Sequence, residues 1–201
     1  MKETFKLIST NPWKQISKDA DKLTRLAYQY KTNKVPPLGH SYTGIYHNMF
    51  LGKTNDVRKV LQIGLGKTEE NSLYMWRDFF PKAKIYGISS DKKYVFKANR
   101  IQTYLGERTD TKGLRNIIDN IGSDIDMVID EGAHNPKEIV ASIQTLMPIL
   151  KRDVIYVIEN IDRPQTAAIT AGLTNYNYYI SRYHKMISRF DRLIVVTNKI
   201  G

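Results

Sequence analysis

The chain of 201 residues contains no cysteine. Disulfide bridges, thiolate zinc sites and cysteine nucleophiles are therefore excluded. It also lacks any apolar run close to the roughly 20 residues that a transmembrane helix needs. Its first residues show no apolar segment followed by a small-residue cleavage site, the pattern of a secretory signal. We therefore expect a cytoplasmic protein with no membrane partner.

Acidic residues are scarce relative to basic ones. The chain has 20 Asp and Glu against 31 Lys and Arg, which gives a formal net charge of +11. Such a charge attracts polyanions, so RNA is one candidate partner. The positive charges are spread along the chain rather than clustered, and an ordinary solvated surface explains them as well.

What remains is typical of one globular α/β domain, with 41% hydrophobic and 25% charged residues. Strand-like and helix-like segments alternate, which predicts a mostly parallel sheet with helices on both faces. The predicted strands are 59–63, 84–88, 101–105, 126–130, 154–158, 177–186 and 192–198, and the predicted helices are 12–33, 43–51, 70–80, 92–98, 110–121 and 136–149. We thus predict a seven-stranded Rossmann-like sheet whose C-terminal strand pair is antiparallel. It forms a single domain over 1–201, with an N-terminal helical cap (1–55) and a core (56–201).

Two of these strands end in loops that suit ligand chemistry. Gly64 and Gly66 follow the first strand, where glycine lets the backbone approach a ligand closely. Gly-x-Gly also ends strands for purely structural reasons. Asp130, Glu131 and His134 follow the fourth predicted strand, at the edge where open α/β sheets bind ligands. A histidine there can act as a general base, although a surface histidine and acids beside a helix N-terminus are the simpler interpretation.

Several segments together resemble the class I S-adenosylmethionine-dependent methyltransferases. Within that superfamily the chain is similar to the sugar and macrolide O-methyltransferases. The resemblance runs from about residue 25 to 165, in order and at sensible spacing. The segments that carry it are 28–34, 40–46, 59–66, 72–81, 85–88, 130–134 and 156–161.

The resemblance implies S-adenosylmethionine as cofactor and a sugar or related small molecule, such as a glycan, as methyl acceptor. It implies that His134 is the base, aided by Glu131. It implies that acids at the ends of two strands hold a divalent metal, for which Mg²⁺ suits oxygen ligands. The implied metal ligands are Glu131, Glu159 and Asn160, with Asp162 as a substitute. The implied cofactor-binding residues are Tyr42, Thr43, Gly64, Gly66, Ser89, Asp91, Glu107 and Asp130.

Three positions depart from the pattern of these enzymes. Gln62 and Ser89 stand where the group usually has acids, and Asn160 stands where an acid is commoner. A carboxylate that holds a ribose diol contributes about 1.5–3 kcal/mol. Its loss predicts cofactor binding weaker by roughly ten- to a hundredfold, unless Asp91 compensates.

Two other functions stay open. One is an RNA methyltransferase acting at a cap ribose, for which Lys67 and Asp130 supply only part of the usual tetrad. The other is a non-catalytic binding protein that keeps the fold. Segments 30–42 and 163–177 are the predicted specificity loops, and they carry no pattern that identifies the acceptor. Oligomer formation is compatible with the sequence.

Overall fold

A computed structural model describes residues 21–35, 39–67, 69–131, 135–184 and 190–198. For residues 182–184 and 190–191 it describes the backbone alone. Its helices are α1 (Lys22–Gln29), α2 (Thr43–Met49), α3 (Glu69–Phe79), α4 (Thr111–Ile121), α5 (Pro136–Leu146) and α6 (Arg163–Ala171). Its strands are β1 (Lys59–Ile63), β2 (Lys84–Ser89), β3 (Lys97–Ala98), β4 (Ile101–Leu105), β5 (Met127–Asp130), β6 (Ile155–Ile161), β7 (Tyr176–His184) and β8 (Phe190–Asn198).

All the described strands form one sheet in the order β3-β4-β2-β1-β5-β6-β8-β7. Strands β4, β2, β1, β5 and β6 are parallel to one another, whereas β3, β7 and β8 pair antiparallel with their neighbours. The prediction of a mostly parallel sheet with an antiparallel C-terminal pair is confirmed. The described sheet has eight strands instead of seven because β3, of two residues, pairs with β4.

Both faces of the sheet are covered by helices. Leu114 of α4, Ile139 of α5 and Ile169 of α6 are buried in one hydrophobic cluster. Leu23 of α1 and Trp76 of α3 are buried in the other. The central strands are therefore buried on both sides, which explains their nearly continuous apolar sequences.

Capping side chains fix where several helices begin. Asp21, Asp110, Asn135 and Asp162 each accept a hydrogen bond from a backbone N–H in the first turn of α1, α4, α5 and α6. Such a bond satisfies a donor that the helix itself leaves unpaired.

Some predicted boundaries were wrong. The predicted helix 92–98 is a 3₁₀ turn at Lys92–Tyr94 followed by β3. Thr103 causes the change, because its hydroxyl bonds both the backbone N–H and the carbonyl of Phe96 and draws this segment into the sheet. Helix α6 occupies part of the predicted loop 163–177, and α5 ends at Leu146 rather than 149. Of the predicted helix 12–33, the described part is helical over α1, while residues 12–20 lie outside the described residues.

Strand register brings three chain segments together at one edge of the sheet. Ile63 at the end of β1 pairs with Asp130 at the end of β5, and Asp130 pairs with Ile158 of β6. Gly64, Glu131 and Glu159 follow these positions directly. The predicted site residues therefore converge because the strands are parallel and in register. None of the described helices is both long and apolar enough to cross a bilayer.

Candidate active site

A narrow cleft begins at Gly64, whose φ of +89° is in the region that favours glycine. A Cβ atom at Gly64 would lie 2.8 Å from Nη2 of Arg108 and 3.4 Å from Cβ of Glu131. The cavity here measures about 40 Å³. We call it the Gly64 cleft, and it is lined by Ile63, Gly64, Ile88, Ser90, Gly106, Glu107 and Arg108.

A fully buried lysine, Lys34, lies between two acids next to this cleft. Its Nζ donates to Oε2 of Glu159 at 2.5 Å and also to Oε1 of Glu131. The hydroxyl of Tyr46 donates to the second oxygen of Glu159 at 2.5 Å. Lys34, Tyr46, Glu131 and Glu159 form what we call the buried ionic cluster. Sequence reasoning missed Lys34 and Tyr46, because their acidic partners are 97 to 125 residues away along the chain.

The buried ionic cluster carries one more negative than positive charge when both acids are ionised. Burial would lower the pKa of Lys34, but Glu131 and Glu159 raise it above its usual value. Burial and the charge of Glu159 raise the pKa of Glu131 to about 8, against the opposing effect of Lys34. Burial and Glu159 also raise the pKa of Tyr46, which keeps its proton and remains a donor. Glu131 therefore holds a proton near neutral pH, and this proton balances the cluster.

Gln62 fixes the position of Glu131. Its side-chain oxygen accepts hydrogen bonds from Ser72 at 2.8 Å and from the indole of Trp76 at 3.1 Å. Its amide nitrogen donates to Oε1 of Glu131 at 3.2 Å. The neutral side chain thus has a structural use here, since an acid in its place would add a third carboxylate beside Glu131 and Glu159.

Asp130 is completely buried and fully engaged. One of its oxygens pairs with Nη1 of Arg108, and the other accepts from Tyr156 at 2.9 Å and Ser142 at 3.2 Å. Burial raises the pKa of Tyr156, so this tyrosine remains a donor. The cofactor-binding role predicted for Asp130 stays a prediction; the structure places its carboxylate against Arg108 at the Gly64 cleft.

The other predicted cofactor residues at β2 make local bonds. Ser89 is buried, and its hydroxyl donates to the carbonyl of Leu65 at 2.9 Å. The exposed Asp91 pairs with Nζ of Lys93 at 2.6 Å, and this contact lowers the pKa of Asp91. Compensation for Ser89 by Asp91 would require Asp91 to leave Lys93. Glu107 is exposed and lines the Gly64 cleft.

Gly66 and the two N-terminal residues predicted to bind the cofactor also have defined neighbours. A Cβ at Gly66 would lie 2.7 Å from Oε2 of Glu69, so the side chain of Glu69 packs closely against Gly66. The hydroxyl of Tyr42 accepts from the backbone N–H of Asn160 at 2.9 Å. The hydroxyl of Thr43 shares a hydrogen bond of 2.7 Å with Thr24 of α1. Tyr42 therefore reaches the end of β6, whereas Thr43 joins α1 to α2.

The histidines remain the least defined part of the site. His134, the predicted base, lies outside the described residues, and so does the side chain of His184. The ring of His40 stacks on Tyr42 with centroids 4.8 Å apart. Nδ1 of His47 lies 3.9 Å from Oδ1 of Asp21, and the side chain of His47 is half-buried.

Of the three predicted metal ligands, Glu159 does not fit a metal role, because it is buried and its two oxygens accept from Lys34 and Tyr46. Glu131 and Asn160 stay predicted ligands of a hydrated Mg²⁺ ion. Both side-chain hydrogen bonds of Glu131 to described residues use Oε1, which leaves Oε2 as its ligand atom. Asn160 lies on β6 with a φ of +57°, and its role as a second oxygen ligand stays a prediction. Asp162, the suggested substitute, caps α6 instead. The described residues contain no group of three His, Cys, Asp or Glu suited to a metal, but Mg²⁺ keeps several waters and needs only one or two carboxylates.

Comparison with known proteins identifies relatives of this arrangement. No protein-family model matches the chain. A mycinamicin VI 2''-O-methyltransferase from Micromonospora griseorubida is 34% identical over 145 residues, which are 69% of this chain and 36% of the relative. A rhamnosyl tetracenomycin-C 2'-O-methyltransferase from Streptomyces olivaceus is 32% identical over 127 residues, 61% of this chain and 33% of the relative. The chain is a homologue of the sugar O-methyltransferases.

Solved structures agree with this homology. The MycE methyltransferase of the mycinamycin pathway, in complex with Mg and SAH, superimposes with a TM-score of 0.69 at 26% identity. The match covers 89% of this chain and 55% of that protein. A ribosomal RNA methyltransferase from Plasmodium falciparum, at 15% identity and a TM-score of 0.55, shares the fold alone. The predicted family resemblance and the methyltransferase fold are confirmed. This chain spans about a third of the length of the curated relatives that it matches.

Proposed function

We propose that the protein is an S-adenosylmethionine-dependent O-methyltransferase that acts on a hydroxyl of a sugar or related small molecule. The observation that carries the proposal is its similarity to sugar O-methyltransferases over 69% of the chain. The positions of Gly64, Glu131 and Glu159 support it, because they combine a cofactor-type loop with acids at one edge of the sheet.

The cofactor would bind at the Gly64 cleft, with the methionine part beside Gly64 and Gly66. Gln62 and Ser89 supply no carboxylate there, so we expect affinity below that of relatives with two acids, by roughly ten- to a hundredfold. Glu107 lines the cleft and is the acid that we propose for the adenine.

The acceptor hydroxyl must lose a proton as its oxygen takes the methyl group. We propose that His134 removes this proton. Glu131 would hold a proton at Oε2, because Lys34 and Gln62 occupy Oε1. Lys34 bonds both Glu131 and Glu159, and Tyr46 bonds Glu159. These hydrogen bonds would hold the two acids in fixed positions while the acceptor hydroxyl loses its proton.

Glu131 and Asn160 would hold Mg²⁺, which when bound would lower the pKa of a hydroxyl and orient it. Ligand carboxylates must be ionised to bind a metal. Because the pKa of Glu131 is about 8, Mg²⁺ should bind more tightly as the pH rises through that value. The proton on Glu131 would be released as the ion binds.

Calorimetry with S-adenosylmethionine and its product S-adenosylhomocysteine tests the cofactor part. Methyl transfer from the labelled cofactor to methyl α-L-rhamnoside, with Mg²⁺ present, tests the chemistry. We expect His134→Ala to lower the rate by about 10²–10⁴-fold with cofactor affinity unchanged. The control is His47→Ala on α2, which should keep the wild-type rate.

Two results would count against these proposals. Full activity in His134→Ala would remove His134 from the role of base. An absence of binding at millimolar cofactor would favour the non-catalytic binding protein instead.

A further inference from the structure

Arg108 occupies the position in the Gly64 cleft where a ligand would lie closest to the backbone. Its Nη1 pairs with Oδ1 of Asp130, and its side chain is 12% exposed. Its Nη2 lies 2.8 Å from the place of a Cβ on Gly64. The space that glycine leaves open above the backbone is therefore filled by a guanidinium group.

The remaining cavity is too small for a nucleoside cofactor. It measures about 40 Å³, whereas pockets for small molecules and cofactors span roughly 300 Å³ or more. Several groups around the cleft cannot withdraw. Gly64 directly follows β1, and Asp130 is held by hydrogen bonds from Ser142 and Tyr156. Arg108, on the loop between β4 and α4, is the long side chain that can swing away.

Charge makes the same position unfavourable for the cofactor. The methionine part of S-adenosylmethionine bears a sulfonium, an ammonium and a carboxylate group, so its net charge is positive. A guanidinium group beside Gly64 repels this net positive charge, and it also neutralises Asp130, the carboxylate that would attract the two cations. S-adenosylhomocysteine lacks the sulfonium charge and is repelled less.

We propose that Arg108 is a latch that closes the cofactor cleft and determines cofactor affinity. This inference rests on the proposed function. In the closed state Arg108 pairs with Asp130. In the open state it turns out of the cleft, and the charge of Asp130 then faces the positive groups of the cofactor. The measured affinity is the intrinsic affinity multiplied by the open fraction of the protein.

Substitution of Arg108 tests the latch by calorimetry with both forms of the cofactor. Arg108→Ala removes the latch. Arg108→Gln loses the charge but keeps a hydrogen-bond donor for Asp130, and this donor helps the variant to fold. The matched control is Arg115→Ala, at an exposed position on α4. If a tenth of the wild-type protein is open, Arg108→Ala should bind S-adenosylhomocysteine about tenfold more tightly. The gain should be larger for S-adenosylmethionine in both Arg108 variants, because both lose the charge.

The outcomes separate the latch from the proposed function. Tighter binding in the Arg108 variants, with Arg115→Ala equal to wild type, supports the latch; so does binding by the variants when wild type binds too weakly to measure. Measurable wild-type binding that is unchanged or weakened in both Arg108 variants overturns the latch and leaves the proposed function intact. Binding by neither wild type nor variants at millimolar cofactor overturns both.

Discussion

Replacement of Lys34 by methionine should strongly destabilise the protein. Methionine has a similar length, and the neighbouring Trp76 ring, 5.9 Å from Nζ of Lys34, can accommodate its thioether. The volume is therefore nearly conserved, and the main change is the loss of one positive charge between Glu131 and Glu159.

The magnitude follows from burial. Lys34 is fully buried, and the side chains of Glu131 and Glu159 are 6% and 1% exposed. Removal of one partner from a buried ion pair costs about 3–5 kcal/mol, because the remaining charge is left without compensation. Two acids remain here, and the charge of Glu159 raises the pKa of Glu131. Protonation relieves the repulsion, so the loss should be largest at pH 8 and smaller at pH 5.5.

Urea unfolding at these two pH values, followed by circular dichroism, measures the effect. The matched control is Lys151→Met. Lys151 also joins two acids, Asp126 at 2.6 Å and Asp153 at 3.4 Å, but at the surface. These side chains are partly exposed, at 28% for Lys151 and 19% for Asp126, and ion pairs within reach of solvent contribute about 0–1 kcal/mol. The control should therefore lose little stability.

Two results would refute this reasoning. One is a loss below about 1 kcal/mol for Lys34→Met at pH 8, which is the value expected of a surface pair. The other is an equal loss at both pH values, which would mean that uncompensated carboxylates are not its source.

Three further predictions concern the same edge of the sheet. Because the folded-state pKa of Glu131 lies above its ordinary value, its contribution to stability is greatest below about pH 4.5 and is lost as the pH rises toward 8. Glu131→Gln should therefore make the free energy of unfolding less dependent on pH across this range. One such group gives a slope of at most about 1.4 kcal/mol per pH unit; an unchanged slope in urea titrations would contradict this. Gly64→Ala should lower thermal stability, by about 1–3 kcal/mol, because φ is +89° and the new Cβ meets Arg108; a rise in melting temperature would contradict it. If RNA is a partner, filter binding should show the logarithm of affinity falling steeply with that of salt concentration, and a flat dependence would assign the +11 charge to solvation alone.

The sequence predicted the sheet well because its parallel strands are buried on both faces and read as short apolar runs. Prediction from the sequence failed where the local sequence pattern and the strand pairing in the folded sheet disagree. Residues 92–98 were predicted to be a helix, but pairing with β4 makes Lys97 and Ala98 a strand. Helix α6 could have been found, since Asp162 and Gln165 form a capping box before a segment of good helix formers.

Only part of the site was predicted. Glu131 was noticed because it directly follows an apolar strand, whereas Glu159 was implied by the resemblance to the O-methyltransferases. Lys34 was missed since a lysine in a loop is ordinarily exposed, and nothing local signals a partner 125 residues away. Arg108 was missed for the same reason, as it meets Asp130 across 22 residues.

The buried ionic cluster also constrains the order in which the chain can fold. Lys34 and Tyr46 come early in the sequence, yet their partners are residues of β5 and β6 or directly follow them, and this long separation is costly to close before the sheet exists. Until then the lysine is hydrated in a chain segment without its partners. We therefore expect the segment around Lys34 to dock late, so that substitutions there accelerate unfolding and leave the folding rate nearly unchanged. A newly made chain would become resistant to proteolysis at its N-terminal helices only after β6 has been synthesised.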